Sequence, residues 1–357
     1  MRIAVRADAS SAIGTGHVRR CLTLIEAFAR SGHHCQFVVR RLDVALERLL
    51  GPAPCEVSLL PSPDPTAPFV PDPRVPHAAW AGVDAARDAE ETAMALASER
   101  FDLLLVDHYS FSADWHDAVR RRLGCRVAVI DDVADRSLSA DFVIDHNHCA
   151  SHERKFAPWL TRPARILGGP AYAMLAPAYS SCLLFKIRPE VRRLGVFMGG
   201  ADPNGHTRRV LAAVRVSGFA GEVNVVSTSA SPDLAVLASD VESTPGARLI
   251  VDLPDLHGFY SSQDLVLGAG GGSTWERCAV GVPSLSCILA NNQWSVLGPL
   301  EALGVTRIVD LRGPVDLVSE LRMLLDSREL RARLSRASQA LVDGRGADRI
   351  AKTLCGP

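Results

Sequence analysis

The chain has 357 residues, room for about two domains at roughly 150 residues each. Lys and Arg total 39 and Asp and Glu total 40, a net charge of −1 with His neutral, which excludes a nucleic-acid binder that works through a basic footprint. Charged residues at 22% and hydrophobic residues at 47% exclude global disorder and leave material for a large core.

Residues 1–5 run directly into a strand. No charged segment precedes a long apolar one, so no signal peptide is expected. The longest apolar runs, such as 103–106 and 265–267, fall far short of the ~20 residues that span a bilayer. Arg19-Arg20 and Arg40-Arg41 are too short for a membrane-docking patch. The nine Cys are odd in number and never at C-x-x-C spacing, which argues against a disulfide framework or structural zinc. The expectation is a cytoplasmic, monomeric protein with reduced thiols, no membrane partner and no cofactor.

The first unit reads strand (2–7), turn (Ile13-Gly14-Thr15-Gly16), helix and strand (35–39). The helix shows in Val18, Cys21, Leu22, Ile25, Phe28 and Ala29, with Gly32 as its stop. This is a βαβ unit, so a parallel sheet is predicted. Residues 52–76 hold nine prolines and no periodicity, and read as a loop. A helix over 88–98, a strand over 102–107, a helix over 114–123 and strands over 126–131 and 142–145 follow. Residues 167–177 read as an interdomain connection. A second cycle then starts with a strand over 193–198, a loop over 199–204 and a helix over 207–216. Strands are expected over 222–227, 248–252, 265–269, 284–289 and 307–309, with one helix opening near Ser273 and helix from 318 on. The fold class is α/β, with two Rossmann-like domains facing each other across a cleft: 1–170, 171–335, and a terminal helix in 336–357.

Ligands in such sheets bind beyond the carboxyl ends of the strands, and the glycine loops lie there. In the first loop Gly14 and Gly16 allow a tight turn and a close ligand approach. His17 follows at a helix start, whose partial positive charge favours neutral imidazole and attracts anions. The same spacing also admits a plain β–α turn with a capping His. Arg19 stands where a dinucleotide fingerprint has its third Gly, so NAD is disfavoured.

The second loop, Gly270-Gly271-Gly272-Ser273-Thr274, offers backbone N–H groups and hydroxyls to a diphosphate. Glu276 is placed to accept from a ribose diol, or to serve as a helix-dipole partner. The lack of G-K-[ST] excludes a Walker A loop. Gly200 and Asp202 sit in a third strand–helix loop, either beside the phosphates or as turn and cap. Asn292 and Gln293 follow a strand, with amides that read a base or sugar, or simply form a polar turn. Asp107-His108-Tyr109, Asp131-Asp132 and Asp145-His146-Asn147 each end a buried strand at the same edge. No H-x-E, H-E-x-x-H or calcium-loop pattern accompanies them, so no metal is expected.

In combination these motifs resemble one family. R-A-D-A-S-S-x-I-G-x-G-H-V-x-R-C-L-T-L at 6–24, Val106-Asp107-His108-Tyr109, Ile130-Asp131-Asp132, residues 197–203, 268–278 and Asn292-Gln293 look like the UDP-2,4-diacetamido-2,4,6-trideoxy-β-L-altropyranose hydrolases (PseG) of pseudaminic acid synthesis. The resemblance spans residues 2 to about 310, and the Pro-rich 52–76 departs from it. That family is similar to the peptidoglycan GlcNAc transferase MurG, so a GT-B fold is implied. The resemblance also implies a UDP-binding C-terminal domain and a terminal helix that crosses back to the first domain. Its reaction would be metal-independent hydrolysis at the anomeric carbon with inversion. His17 would take a proton from water, Gly270 to Thr274 would hold the diphosphate and Glu276 the ribose. Tyr109 would position sugar or water, and Asp8 would orient His17 or bind sugar. The pathway would serve flagellin glycosylation. The alternatives are a UDP-sugar glycosyltransferase on the same fold, a non-catalytic nucleotide-sugar binder and, more distantly, a dehydrogenase.

Overall fold

A computed structural model describes residues 1–66, 69–200 and 202–356, apart from the side chain of residue 292. The chain forms two compact units, residues 1–175 with 345–357, and residues 176–344.

The first unit is built from β1 (Arg2–Ala7), α1 (Gly16–Arg30), β2 (His34–Arg40), α2 (Leu46–Leu50), β3 (Glu56–Leu60), α3 (Ala85–Ala95), β4 (Leu103–Asp107), α4 (Ala113–Leu123), β5 (Arg126–Ile130), β6 (Phe142–Asp145), α5 (His152–Phe156) and β7 (Arg165–Gly168). The sheet is parallel throughout, in the order β3-β2-β1-β4-β5-β6-β7. Its direction of winding reverses between β1 and β4, which opens a crevice at their carboxyl ends. β1 shows why the strands read as apolar runs. Ile3, Val5 and Ala7 pack with α1 on one face, while Ala4 packs with Val38, Leu104 and Trp115 on the other.

The Pro-rich stretch is not wholly a loop. Residues 56–60 between its prolines pair with β2 as the edge strand β3, where a missing N–H costs least. The supposed connection at 167–177 also begins inside a strand, because Leu167 and Gly168 pair with β6.

The second unit comprises β8 (Arg193–Phe197), α6 (His206–Ser217), β9 (Glu222–Ser227), α7 (Leu234–Glu242), β10 (Ala247–Val251), α8 (His257–Ser262), β11 (Leu265–Ala269), α9 (Ser273–Val280), β12 (Ser284–Ile288), α10 (Trp294–Ala302), β13 (Arg307–Asp310), α11 (Leu317–Asp326) and α12 (Arg328–Leu341). Its parallel sheet runs β10-β9-β8-β11-β12-β13, and its reversal lies between β8 and β11. Val196, Leu267, Leu285 and Val309 from four strands pack with Leu211 and Leu321.

The last helix, α13 (Gly346–Cys355), belongs to the first unit, where Ala347, Ile350, Ala351 and Leu354 join the α1 core. The chain returns there at Arg345 rather than at 336, because α12 is a separate helix of the second unit, packed against α9. Gly346 is required at the return, since any side chain would collide with the Ala173 backbone.

Candidate active site

The β1–β4 crevice of the first unit gathers the chemistry. Gly14 sits at φ 78°, its N–H donating 2.7 Å to the Ser10 carbonyl, and closes a turn that delivers Gly16 to the start of α1. Both glycines are exposed, with open space where a Cβ would point. His17, second residue of α1, is 8% exposed. Its Nδ1 lies 2.6 Å from Oδ1 of Asp107, the last residue of β4. Arg20 grips the same carboxylate, with Nε 2.5 Å from Oδ2 and Nη2 2.6 Å from Oδ1. The Cys21 thiol adds a donor 3.7 Å from Oδ2.

Asp107 is fully buried, and burial alone raises a carboxyl pKa. Arg20 and then His17 outweigh it and hold Asp107 well below the usual range. An ionised carboxylate only accepts, so a ring hydrogen is on Nδ1, and in the neutral ring the lone pair is on Nε2. Among the described residues nothing hydrogen-bonds Nε2.

Tyr109 packs its ring edge-on to His17, centroids 4.7 Å apart, and donates its hydroxyl to Asp132. Burial and then Asp132 push the Tyr109 pKa well above its ordinary value, so it stays a donor. Asp132 also accepts from Asn147 Nδ2 at 3.3 Å. Two aromatic residues complete the wall. Trp80 lies 6.5 Å from the His17 ring and 5.9 Å from Tyr109, and His77 lies 4.4 Å from Trp80. Both come from the segment after the prolines, whose Cα path no local pattern announces. Arg20 did carry a signal, because a residue three after His17 shares its helix face.

Asp8 does not orient His17. It is fully buried and bonded to Arg6 Nη1 at 2.5 Å, Arg6 Nη2 at 2.8 Å and the Arg40 N–H at 2.6 Å. Asp88 joins this network through Arg6 and Arg40, each at 2.7 Å, and Trp115 Nε1 at 3.0 Å. His108 Nε2 is 3.2 Å from Asp8, so the network braces the β1 and β4 ends from behind. The carboxylate that orients His17 is Asp107. Asp131 is likewise occupied, by Arg136 Nη1 at 2.6 Å and two backbone N–H groups.

Asp145, Cys149 and His152 place donor atoms within 4.8 Å of one another and form the metal-like grouping among the described residues. Lys155 Nζ already lies 2.7 Å from Asp145 Oδ2, and the Asn147 N–H takes Oδ1 at 2.9 Å. A cation there would have to displace an ammonium, so the donor set fits a metal poorly.

In the second unit the loops at the β8–β11 reversal collect most of the other residues singled out. Gly270 leads from β11, and a Cβ on it would meet Leu297 Cδ1 at 2.5 Å, so the backbone lies directly against α10. Gly271 and Gly272 are exposed with open space beside them, and α9 starts at Ser273. Buried Arg277 donates to Ser273 Oγ, Thr274 Oγ1, the Ala269 carbonyl and Ser286 Oγ, all at 3.1 Å, and so builds the loop from within. Gly268 leaves room for that guanidinium, which a Cβ would meet at 2.6 Å. Glu276 is half-buried beside the hydroxyls of Tyr179 and Tyr260, whose pKa values burial and that carboxylate push up.

Asp202 works as a cap: its carboxylate accepts from the N–H groups of His206 at 2.9 Å and Thr207 at 2.7 Å, at a strained φ of 37°. Gly200 offers its carbonyl to the Thr228 hydroxyl. The Gln293 amide oxygen is taken by the Leu289 N–H at 2.7 Å, which leaves only its NH2 end for a ligand. The Asn292 side chain lies outside the described part of the structure.

No protein-family model matches the chain. It is similar to the spore coat polysaccharide biosynthesis protein SpsG of Bacillus subtilis (strain 168), 26% identical over 266 residues that cover 72% of this chain and 78% of that one. Among solved structures it is similar to Acinetobacter baumannii MurG, with a TM-score of 0.68 and 12% identity over 99% of both chains. Phytolacca americana UGT2, complexed with UDP-2fluoro-glucose and pterostilbene, gives a TM-score of 0.67 and 13% identity over 99% of both chains. The chain has a GT-B fold. At these identities the likeness to solved structures carries the architecture and no more. No helix of the described residues is long and apolar enough to cross a membrane.

Proposed function

We propose that the protein is a nucleotide-sugar enzyme that moves a glycosyl group from a UDP-sugar to an acceptor hydroxyl. The observation that carries this reading is the His17–Asp107 pair at 2.6 Å, with a free Nε2 at the carboxyl edge of a parallel sheet. The second unit supports it with an exposed glycine loop at a helix start, suited to a diphosphate. The likeness to a polysaccharide biosynthesis protein supports transfer over other uses of the fold.

In this reading Nε2 of His17 takes the acceptor's proton while its oxygen attacks the anomeric carbon. The bond from that carbon to the UDP oxygen breaks, and UDP leaves with the electron pair. One attack opposite the leaving group inverts the centre. The imidazolium so formed is stabilised by Asp107. UDP is a good leaving group and needs no general acid, only donors for its growing charge, such as the N–H groups of Gly271 and Gly272.

A second reading keeps every step and makes water the acceptor, which gives a UDP-sugar hydrolase. The 8% exposure of His17 behind Tyr109 favours a small nucleophile, as does the PseG-like stretch at 6–24. One experiment separates the two. UDP-N-acetylglucosamine and UDP-2,4-diacetamido-2,4,6-trideoxy-β-L-altropyranose are incubated with the protein, with and without saccharide acceptors, and followed by proton NMR. Transfer predicts UDP release that needs acceptor and a new glycosidic product. Prompt release without acceptor, with the inverted free sugar first, assigns hydrolysis. No release from any donor despite UDP binding sinks both.

A further inference from the structure

Arg20 touches Asp107, Tyr109 and Asp132, three polar groups around His17, as well as His17 itself. It stands three residues after His17 on α1, which puts both on one face. Its fork holds Asp107 by two bonds, and Oδ1 is the same oxygen that His17 Nδ1 meets. Nη2 lies 3.3 Å from His17 Nδ1 and 3.4 Å from the Tyr109 hydroxyl, and Nη1 lies 3.7 Å from Asp132 Oδ2.

We propose that Arg20 is a positioning residue: it locks the plane of Asp107, and with it the Nδ1–H form of His17, and it cancels the charge of that carboxylate so that His17 meets its acceptor neutral. This rests on the reading of His17 as the base.

Two physical effects support it. A two-point guanidinium–carboxylate pair removes the rotational freedom of the carboxylate, which an ammonium at one point would not do. The second effect is charge. A lone buried carboxylate beside an imidazole favours imidazolium, which cannot accept a proton. The groups facing His17 are Asp107 and Tyr109 from the end of β4 and Asp132 after β5, with His146 beyond Asp132 and Asp107, and His77 packed on Tyr109. Tyr109 is a neutral phenol, and burial with Arg20 keeps His146 neutral. The fixed charges are therefore two carboxylates against one guanidinium. Removing Arg20 doubles the net negative charge around the ring.

The test compares wild type with Arg20→Gln and Arg20→Lys. One readout needs no substrate: 15N NMR of the His17 ring across pH 4–9, which reports both tautomer and titration. The other is the pH profile of kcat/KM for UDP release. Arg20→Gln is expected to move the ring titration and the acidic limb up together by about one pH unit. Its kcat/KM falls about tenfold at pH 6 and recovers by pH 9. Arg20→Lys keeps the charge and folds with it, so its titration stays near wild type while kcat falls a few-fold through the lost fork. The proposal is overturned if folded Arg20→Gln keeps the wild-type titration and tautomer, or if both variants lose activity equally at every pH. If wild type turns over no UDP-sugar, the function reading fails while the NMR titration still decides the role of Arg20.

Discussion

Asp107→Asn isolates the orientation of His17 from the shape of its pocket. The carboxylate accepts from His17 Nδ1 at 2.6 Å, Arg20 Nη2 at 2.6 Å and Arg20 Nε at 2.5 Å. An amide has one oxygen for these three donors. With its NH2 toward Arg20 Nε, two donors face each other. With its NH2 toward His17, the ring must accept at Nδ1 and its hydrogen moves to Nε2, where the lone pair is needed. General-base assistance is worth about 10²–10⁴ in rate, or roughly 3–5 kcal/mol of barrier, so kcat is expected to fall by that factor. Arg20 also loses its partner. Breaking a buried ion pair costs about 3–5 kcal/mol. Asp132 at 3.7 Å and the 16% exposure of the Arg20 side chain set the expectation at the low end. The assay is the initial rate of UDP release at pH 7, beside a thermal melt and the calorimetric affinity for UDP. The affinity should hold, because the loops proposed for the nucleotide lie in the second unit. A folded Asp107→Asn protein with kcat within about threefold of wild type would refute the base assignment.

Three further outcomes follow from the geometry. Gly270→Ala forces buried Leu297 to move from a 2.5 Å approach, so it should destabilise by about 1–3 kcal/mol and weaken UDP binding, while Gly271→Ala, with open space beside it, leaves the melting temperature unchanged; equal melts for the two would contradict the packing. Trp80→Ala removes the ring packed 4.4 Å from His77 and 5.9 Å from Tyr109, and should raise KM for the sugar substrate about tenfold with UDP affinity intact; an unchanged KM places the substrate elsewhere. Acid acts in two windows. Asp8, Asp88 and Asp107 have pKa values lowered in the fold by their Arg and His partners against the effect of burial, so their stabilisation is complete above about pH 4 and is lost below it. Burial pushes Asp145 up to about 6 despite Lys155, so its contribution is complete below about pH 4 and is lost as pH rises through 6. Buried, neutral His116 and His146 gain stability over the same range, so the test is a difference: the urea midpoint of Asp145→Asn minus that of wild type should grow as pH rises from 4 to 6, and a difference that stays flat refutes the second window.

How far the sequence reveals this molecule depends on range. Strands such as β4 and β11 are near-continuous apolar runs, because a parallel sheet is covered on both faces, and they are readable residue by residue. β3 hides among prolines since an edge strand tolerates neighbours that a central one does not. His17 was legible from its glycine turn, whereas its partner was not. Asp8 is nine residues away and Asp107 ninety, yet β1 pairs with β4, and that register brings Ala7 opposite Asp107. Asp8 is taken instead by the Arg6 guanidinium and the Arg40 backbone N–H. Trp80 reaches His17 only through tertiary folding of an irregular segment. Asp202 and Gln293 each satisfy nearby backbone N–H groups, the cap and turn roles that their local pattern also offered.

On the proposed reading the glycine loop of the second unit meets the diphosphate with neutral donors, because its Arg277 is spent inside the loop. Arg277 is 1% exposed and its donors go to the loop's own hydroxyls and carbonyl. Had that guanidinium faced a phosphate, binding would have to strip water from two full charges. Backbone N–H groups at the start of α9 carry a fixed partial charge, already oriented, and lose little on desolvation. The charge that develops on departing UDP then falls on dipoles that need no rearrangement. In the proposed reaction the single mobile proton stays with His17, whose counter-charge Asp107 is held by Arg20 in the first unit. This reading builds phosphate recognition and proton transfer on separate sheets, so substitutions in one unit should change UDP affinity and substitutions in the other kcat.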